Sequence, residues 1–136
     1  MGAGLWSATS YKRLREEALD IERWNRLHPG EQPRAPYVSR ALAGLGPVVA
    51  VTDFMTAVPD QVSRWVPARY TSLGTDGFGR SDAREALREF FEVDHRHVVV
   101  AVLAALAVDG QVEPGVVPAA IARYGIDPDT APPRLR

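Results

Sequence analysis

The chain has 136 residues, of which 46% are hydrophobic and 24% are charged, and its formal net charge is −1. This length and composition fit one globular domain with a single core. The near-zero charge gives no electrostatic reason to bind nucleic acid or an anionic membrane. Without cysteine, the chain cannot form a disulfide, a thiolate metal site or a cysteine nucleophile. We see no leader-like segment and no apolar run long enough to cross a bilayer, so we expect a soluble cytoplasmic protein.

The first half of the chain alternates helical patterns with short apolar runs. Large apolar residues recur every three or four positions after residue 10, which predicts a helix whose N-cap is Thr9 or Ser10. The run of residues 47–52 is continuously apolar and β-branched, as in a strand buried on both faces of a parallel sheet. The predicted elements of this half are helices at residues 10–26, 37–43 and 59–66 and strands at residues 47–52 and 70–73.

The second half is predicted to be helical. Asp82 and Glu85 have the spacing of a capping box for the first of these helices. Asp94 should cap a longer helix, whose residues 98–107 are apolar almost all round and should therefore lie deep in the domain. The predicted helices cover residues 83–91, 95–108 and 113–124, and an extended, proline-bearing tail covers residues 126–136. Strands that alternate with helices predict an α/β fold with a parallel sheet.

A glycine-rich loop connects the second strand to the next helix. Three glycines within six positions indicate a sharp turn or positive φ angles, and the end of a parallel strand is where ligands and partners commonly bind. The loop could cradle a phosphate with its backbone N–H groups; alternatively, it is a tight structural turn that lets Phe78 pack inward or against a neighbour. Its residues, which we take as a candidate structural or interface loop, are Gly74, Thr75, Asp76, Gly77, Phe78, Gly79, Arg80, Ser81 and Asp82.

Two aspartates are a weaker candidate site. Asp53 and Asp76 each follow a threonine directly after a predicted strand. On adjacent parallel strands the two carboxylates could share a proton or hold Mg²⁺; alternatively, Asp53 caps a helix and Asp76 bonds the backbone of its own loop. His95 and His97 lie two residues apart on one predicted helix, which is poor spacing for a shared metal, and we expect both to be solvated.

Several stretches together resemble one known family. Residues 74–106, GTDGFGRSDAREALREFFEVDHRHVVVAVLAAL, resemble the C-terminal domain of transketolase-like thiamine diphosphate enzymes. More narrowly, they resemble the homodimeric decarboxylating first component of the bacterial pyruvate dehydrogenase complex. LWSATS at residues 5–10, ERWNRLHPGEQPRAPY at 22–37, VVAVTDFMTAVPDQVSRWVP at 48–67 and the closing PRL at 133–135 agree, so the resemblance covers nearly the whole chain.

The resemblance implies a three-layer α/β/α domain with a mostly parallel sheet. Leu5 and Trp6 would end one strand, so that the sheet would have three strands. The match begins inside the family's domain, so we expect residues 1–136 to form a single partial domain whose first strands are missing. Such a chain, when isolated, should self-associate or be marginally stable.

The resemblance also implies what the chain does. The family binds thiamine diphosphate and Mg²⁺ in upstream domains, and the G-D-G…N-N signature for the diphosphate is absent here. We therefore expect no catalytic, cofactor-binding or metal-binding residue in this chain and no activity from it alone. Its role would be structural, in contact with the upstream domains, in the homodimer and within the pyruvate dehydrogenase complex. The alternatives are a free-standing protein-interaction domain of the same fold and, more weakly, an anion-binding domain.

Overall fold

The computed structural model describes residues 2–136, in which helices surround a small sheet. The chain order is helix, helix, strand, helix, strand and three further helices, with one 3-10 turn before the second strand and another near the end of the chain. The helices are α1 (Tyr11–Leu27), α2 (Tyr37–Ala41), α3 (Ala57–Asp60), α4 (Arg84–Phe90), α5 (His95–Val108) and α6 (Val116–Tyr124); the strands are β1 (Val48–Val51) and β2 (Tyr70–Leu73); the 3-10 turns are Ser63–Trp65 and Pro133–Leu135.

The two strands are parallel, and their register pairs Val48 with Tyr70 and Val51 with Leu73. Helices from the first half of the chain pack on one hydrophobic cluster that includes both strands. α5 also contacts both strands but adds nothing to that cluster, so helices from both halves of the chain cover the sheet. The α/β class and the parallel sheet are confirmed. The cluster consists of Val38, Val62 and Val66 with the partly buried Tyr11, Leu14, Leu42, Val48, Trp65 and Tyr70.

The expected strand at the start of the chain is wrong in this structure. Residues 2–10 form neither helix nor strand, and the side chains of Leu5 and Trp6 are 97% and 60% exposed. A strand persists only when a neighbouring strand pairs with its N–H and C=O groups. Among the described residues the sheet therefore has two strands rather than three.

Several predicted helix ends are confirmed, but three predictions are wrong. The helix predicted at residues 59–66 is not continuous: α3 ends at Asp60 and a separate 3-10 turn covers Ser63–Trp65, because the N–H groups from Gln61 onward bond carbonyls three residues earlier instead of four. The last helix begins at Val116 rather than at residue 113.

Ser10 caps α1 by accepting a hydrogen bond from the N–H of Arg13 at 3.2 Å. Gly125 ends α6 with a φ of 63°. The capping box of Asp82 is incorrect, because α4 begins one residue later than that motif requires and its N-cap is Ala83. Asp82 instead accepts a hydrogen bond from the N–H of Ala83 at 2.8 Å.

α5 is the most apolar helix, and it is less buried than its composition predicts. Only Ala105 and Leu106 of this helix are fully buried, whereas its residues 98–104 are half-buried. Its contacts with α6 and the two strands cover part of its circumference, so the rest reaches the surface. Within residues 2–136, no helix combines the length and the apolarity that crossing a bilayer requires.

Candidate functional site

The carboxyl ends of β1 and β2 lead into two loops that lie side by side. The loop after β1, residues 52–56, lies against the glycine loop, residues 74–82. The N–H of Thr75 donates to the carbonyl of Phe54 at 2.9 Å, and the Thr75 hydroxyl donates to the carbonyl of Asp53 at 2.8 Å. The second strand's loop is thus bonded to the backbone of the first, which fixes this edge of the sheet.

Asp76 also joins the two loops by hydrogen bonds, and it has neither of its predicted roles. Its Oδ1 accepts from the N–H of Thr56 at 2.9 Å, and its Oδ2 accepts from the Thr56 hydroxyl at 2.7 Å. It therefore bonds the other loop rather than the backbone of its own. Asp53 does not cap a helix either, because the N-cap of α3 is Thr56. Asp53 is exposed and contributes its main-chain carbonyl.

The carboxylate of Asp76 is used for hydrogen bonding. Both of its oxygens accept hydrogen bonds from Thr56. Mg²⁺ needs several oxygen ligands in a near-octahedral set. Across residues 2–136, no three His, Asp or Glu side chains converge as metal ligands.

Gly74 is required where the two loops approach most closely. A Cβ atom at this position would lie 2.6 Å from the carbonyl oxygen of Phe54 and 2.9 Å from the backbone nitrogen of Thr56. Real Cβ atoms do not come so close to backbone atoms. The glycine therefore serves a close backbone approach, which agrees with the structural interpretation of the loop.

The middle of the glycine loop is open to solvent. Gly77 has a φ of 119°, in the range that favours glycine. The Phe78 side chain is 90% exposed, so the prediction that it packs inward is wrong. The alternative, that it packs against a neighbour, stays a prediction. The guanidinium of Arg80 lies 4.3 Å from the ring centroid of Phe90. The Asp82 carboxylate accepts a hydrogen bond from the N–H of Ala83. Two of the charged side chains of the loop are thus engaged within the chain.

The end of the chain packs over this loop. A Cβ at Gly77 would lie 3.1 Å from the Cα of Arg134, so the tail runs directly against the loop backbone. The tail, expected to be extended, instead forms the 3-10 turn at Pro133–Leu135. A shallow cavity between the loop and the tail is lined by residues that include Leu73, Phe91 and Pro133.

Four exposed apolar side chains belong to the segments that meet at this edge. Phe54 and Met55, in the loop after β1, are 68% and 58% exposed, Phe78 is 90% exposed, and Leu135 is 69% exposed. We call these four residues the rim patch. Large apolar side chains grouped on a surface mark sites of protein interaction. Of the four, the sequence singled out Phe78 alone; the other three follow a strand or a proline pair, where no periodicity reveals their exposure.

At the N-terminus of α5, Asp94 and His97 form a tight polar cluster. Asp94 caps α5 by accepting from the N–H of His97 at 3.0 Å, and it also contacts the His97 Nδ1 at 2.6 Å and accepts from the Nε of Arg96 at 2.7 Å. Burial alone would raise the pKa of Asp94, but these bonds lower that pKa to about 2. The His97 side chain is 17% exposed, so the prediction that it is solvated is wrong, whereas His95 is exposed.

Comparison with known proteins identifies the family. A sequence model of the transketolase-like TK C-terminal domain matches residues 1–94. The pyruvate dehydrogenase E1 component of Pseudomonas aeruginosa is 54% identical over 135 residues, which is 98% of this chain and 15% of that relative. The same component is 49% identical in Escherichia coli K12, over 99% of this chain and 15% of the relative. In Mycobacterium tuberculosis it is 48% identical, over 98% of this chain and 14% of the relative.

The chain thus spans about 15% of the length of the curated relatives that it matches, and it corresponds to their C-terminal part. The family match covers β1, β2, the glycine loop and α4, which together build the edge described above. The resemblance inferred from the sequence is therefore confirmed, and the chain belongs to the transketolase-like C-terminal domain family.

Proposed function

We propose that this chain acts as the C-terminal segment of a pyruvate dehydrogenase E1-type enzyme and that its role is to hold the assembled enzyme together. Its relatives carry that enzyme name, and they contain much more chain than is present here. In this proposal the rim patch contacts the rest of the enzyme or the second subunit of a homodimer. Decarboxylation of pyruvate is then carried out by parts of the enzyme outside this chain.

The observation that supports this role is the combination of a rigid frame with an exposed apolar patch. The frame is rigid because Asp76 and Thr75 bond both loops together. The side chains of Phe54 and Phe78, in the two loops that the frame joins, are exposed. Aromatic side chains are frequent among the residues that dominate interface energies.

Thiamine diphosphate and Mg²⁺ would be bound outside this chain. This is supported by the absence, within residues 2–136, of three His, Asp or Glu side chains that converge as metal ligands. We infer that this chain alone, supplied with both cofactors, does not turn over pyruvate. Membership of the pyruvate dehydrogenase complex and a cytoplasmic location are further parts of the proposal.

A chimeric enzyme tests this proposal. In the Pseudomonas aeruginosa relative, the matching segment is replaced by this chain, and the product is assayed for subunit mass and for pyruvate decarboxylation. We expect an assembled and active enzyme. We also expect Phe78→Gln in the chimera to weaken assembly about tenfold or more. Leu27→Gln, at an exposed leucine at the end of α1, is the matched control and should leave assembly unchanged.

The alternative is a free-standing interaction domain, and one observation favours it. Both loops and the tail complete the edge from within this chain, so the frame needs no second polypeptide. Light scattering and calorimetry of the isolated chain distinguish the two functions. Self-association or a weak, broad melt supports the enzyme segment, whereas a monodisperse monomer with a cooperative melt, together with a chimera that fails to assemble, supports the alternative.

A further inference from the structure

Residues 132–136, which we call the strap, lie across the glycine loop. The strap is internally ordered, because the N–H of Leu135 donates to the carbonyl of Pro132 at 2.8 Å and the N–H of Arg136 donates to that of Pro133 at 3.2 Å. We propose that the strap, anchored through Arg136, holds the glycine loop in the conformation that presents Phe78 in the rim patch. That the rim patch binds another part of the enzyme rests on the proposed function. That the strap holds the glycine loop in place does not rest on it.

Arg136 anchors the strap to the turn between α4 and α5. Its Nη2 donates to the carbonyl of Phe90 at 3.0 Å and to the Oε1 of Glu92 at 2.9 Å. The Arg136 side chain is 27% exposed, so water screens these bonds only in part. One guanidinium therefore joins the strap to the last carbonyl of α4 and to the second residue after the helix.

Glu92 has a backbone conformation that needs such support. Its φ is 59°, and it is the one non-glycine residue with positive φ among the described residues. The N–H of Glu92 donates to the carbonyl of Glu89 at 3.1 Å, and that of Val93 donates to the carbonyl of Arg88 at 2.9 Å. This is the Schellman pattern, in which the left-handed position is usually glycine. A side chain there is strained unless surrounding contacts fix it, and the carboxylate bond to Arg136 is one of these contacts.

Phe90 connects the strap to the glycine loop through its ring. The guanidinium of Arg80, in the loop, lies 4.3 Å from the ring centroid, and that of Arg136, in the strap, lies 4.9 Å from the same centroid. An arginine over an aromatic ring is attracted by the ring's negative face. One aromatic ring therefore contacts a cation from each of the two segments.

The strap also contacts the loop backbone directly. Gly77 faces the Cα of Arg134 so closely that a Cβ would lie 3.1 Å from it. The strap thus touches the residue before Phe78, while Arg80 is held two residues after Phe78. Before Phe78, the loop backbone contacts the strap at Arg134. After Phe78, Arg80 contacts the Phe90 ring, on which the strap residue Arg136 also packs. Release of Arg136 should loosen the loop at Phe78 without disturbing the helices on the other side of the domain.

Amide hydrogen exchange of the full chain, followed by mass spectrometry, tests the strap. Arg136→Gln removes the guanidinium and keeps a polar side chain of moderate length. We expect exchange of the hydrogen-bonded amides of Thr75 in the loop and of residues 91–93 in the anchoring turn to become roughly tenfold faster, whereas peptides from α1 keep their rates. Arg134→Gln, at an exposed neighbour in the same strap, is the matched control and should leave exchange in the loop unchanged.

Two results would overturn the proposal. One is exchange of the amides of Thr75 and residues 91–93 that is as slow in Arg136→Gln as in the parent chain; the other is an equal acceleration of exchange at these amides and in α1, which would mean a loss of global stability. Should Arg136→Gln give no cooperative melt, Phe90→Leu replaces it, and the same two results apply. The proposed function fails separately, when the chimera with an intact strap does not assemble.

Discussion

Replacing Gly74 with alanine should destabilise the protein strongly, because the added methyl group would force the glycine loop away from the loop after β1. The new Cβ would lie 2.6 Å from the carbonyl oxygen of Phe54 and 2.9 Å from the nitrogen of Thr56. Both are backbone atoms that cannot rotate away. Separation would break the bond from Thr75 to Phe54 and the charge-assisted bond from Thr56 to Asp76, each 2.9 Å long. Their loss amounts to about 2–4 kcal/mol of the free energy of unfolding.

Urea unfolding, followed by tryptophan fluorescence and circular dichroism, measures this loss. Gly79→Ala is the matched control: it lies in the same loop, and among the described residues nothing lies within 4 Å of a Cβ built there. Its free energy of unfolding should stay within about 0.5 kcal/mol of the parent. Equal stability of the Gly74→Ala and Gly79→Ala variants would refute the close approach of the two loops.

Three further predictions concern the same region. Asp76→Asn should lower the free energy of unfolding by about 1–3 kcal/mol in urea titrations, since the amide keeps one acceptor for Thr56 but lacks the charge and the second acceptor; unchanged stability would contradict these bonds. Gly77→Ala should cost about 1–2 kcal/mol by calorimetry, because its φ is 119°; no cost would show that the turn relaxes freely. The pKa of Asp94 is lowered from 3.8 to about 2, so its carboxylate contributes about 2 kcal/mol to the free energy of unfolding. This contribution is fully present above pH 4–5 and is lost as the pH falls towards 2. Acid titration of Asp94→Asn should lack that loss.

Features that depend on local sequence could be predicted well. Apolar spacing and capping residues were sufficient for α1 and for α5 with its cap Asp94. The β-branched run around Val48 indicated a strand in a parallel sheet, and β1 pairs in that way. These features depend on hydrogen bonds and side-chain periodicities within a few residues of each other.

Features that depend on distant pairings could not be predicted. Asp76 bonds Thr56, 20 residues away, whereas local rules favoured a bond within its own loop. The Schellman turn at Glu92 lacks the usual glycine and is supported by Arg136, 44 residues later. The strand expected at Trp6 needs a neighbouring strand, which a sequence pattern does not specify.

The central claim is that the rim patch becomes a contact surface in the assembled enzyme. Amide hydrogen exchange of residues 52–56 and 74–82 should be compared between the isolated chain and the same residues in the Pseudomonas aeruginosa chimera. The account predicts that exchange in both segments slows in the chimera, because the contact excludes water from the edge that carries Phe54 and Phe78. Equal exchange of these segments in both proteins, with slowing confined to α1 or α6, would contradict it.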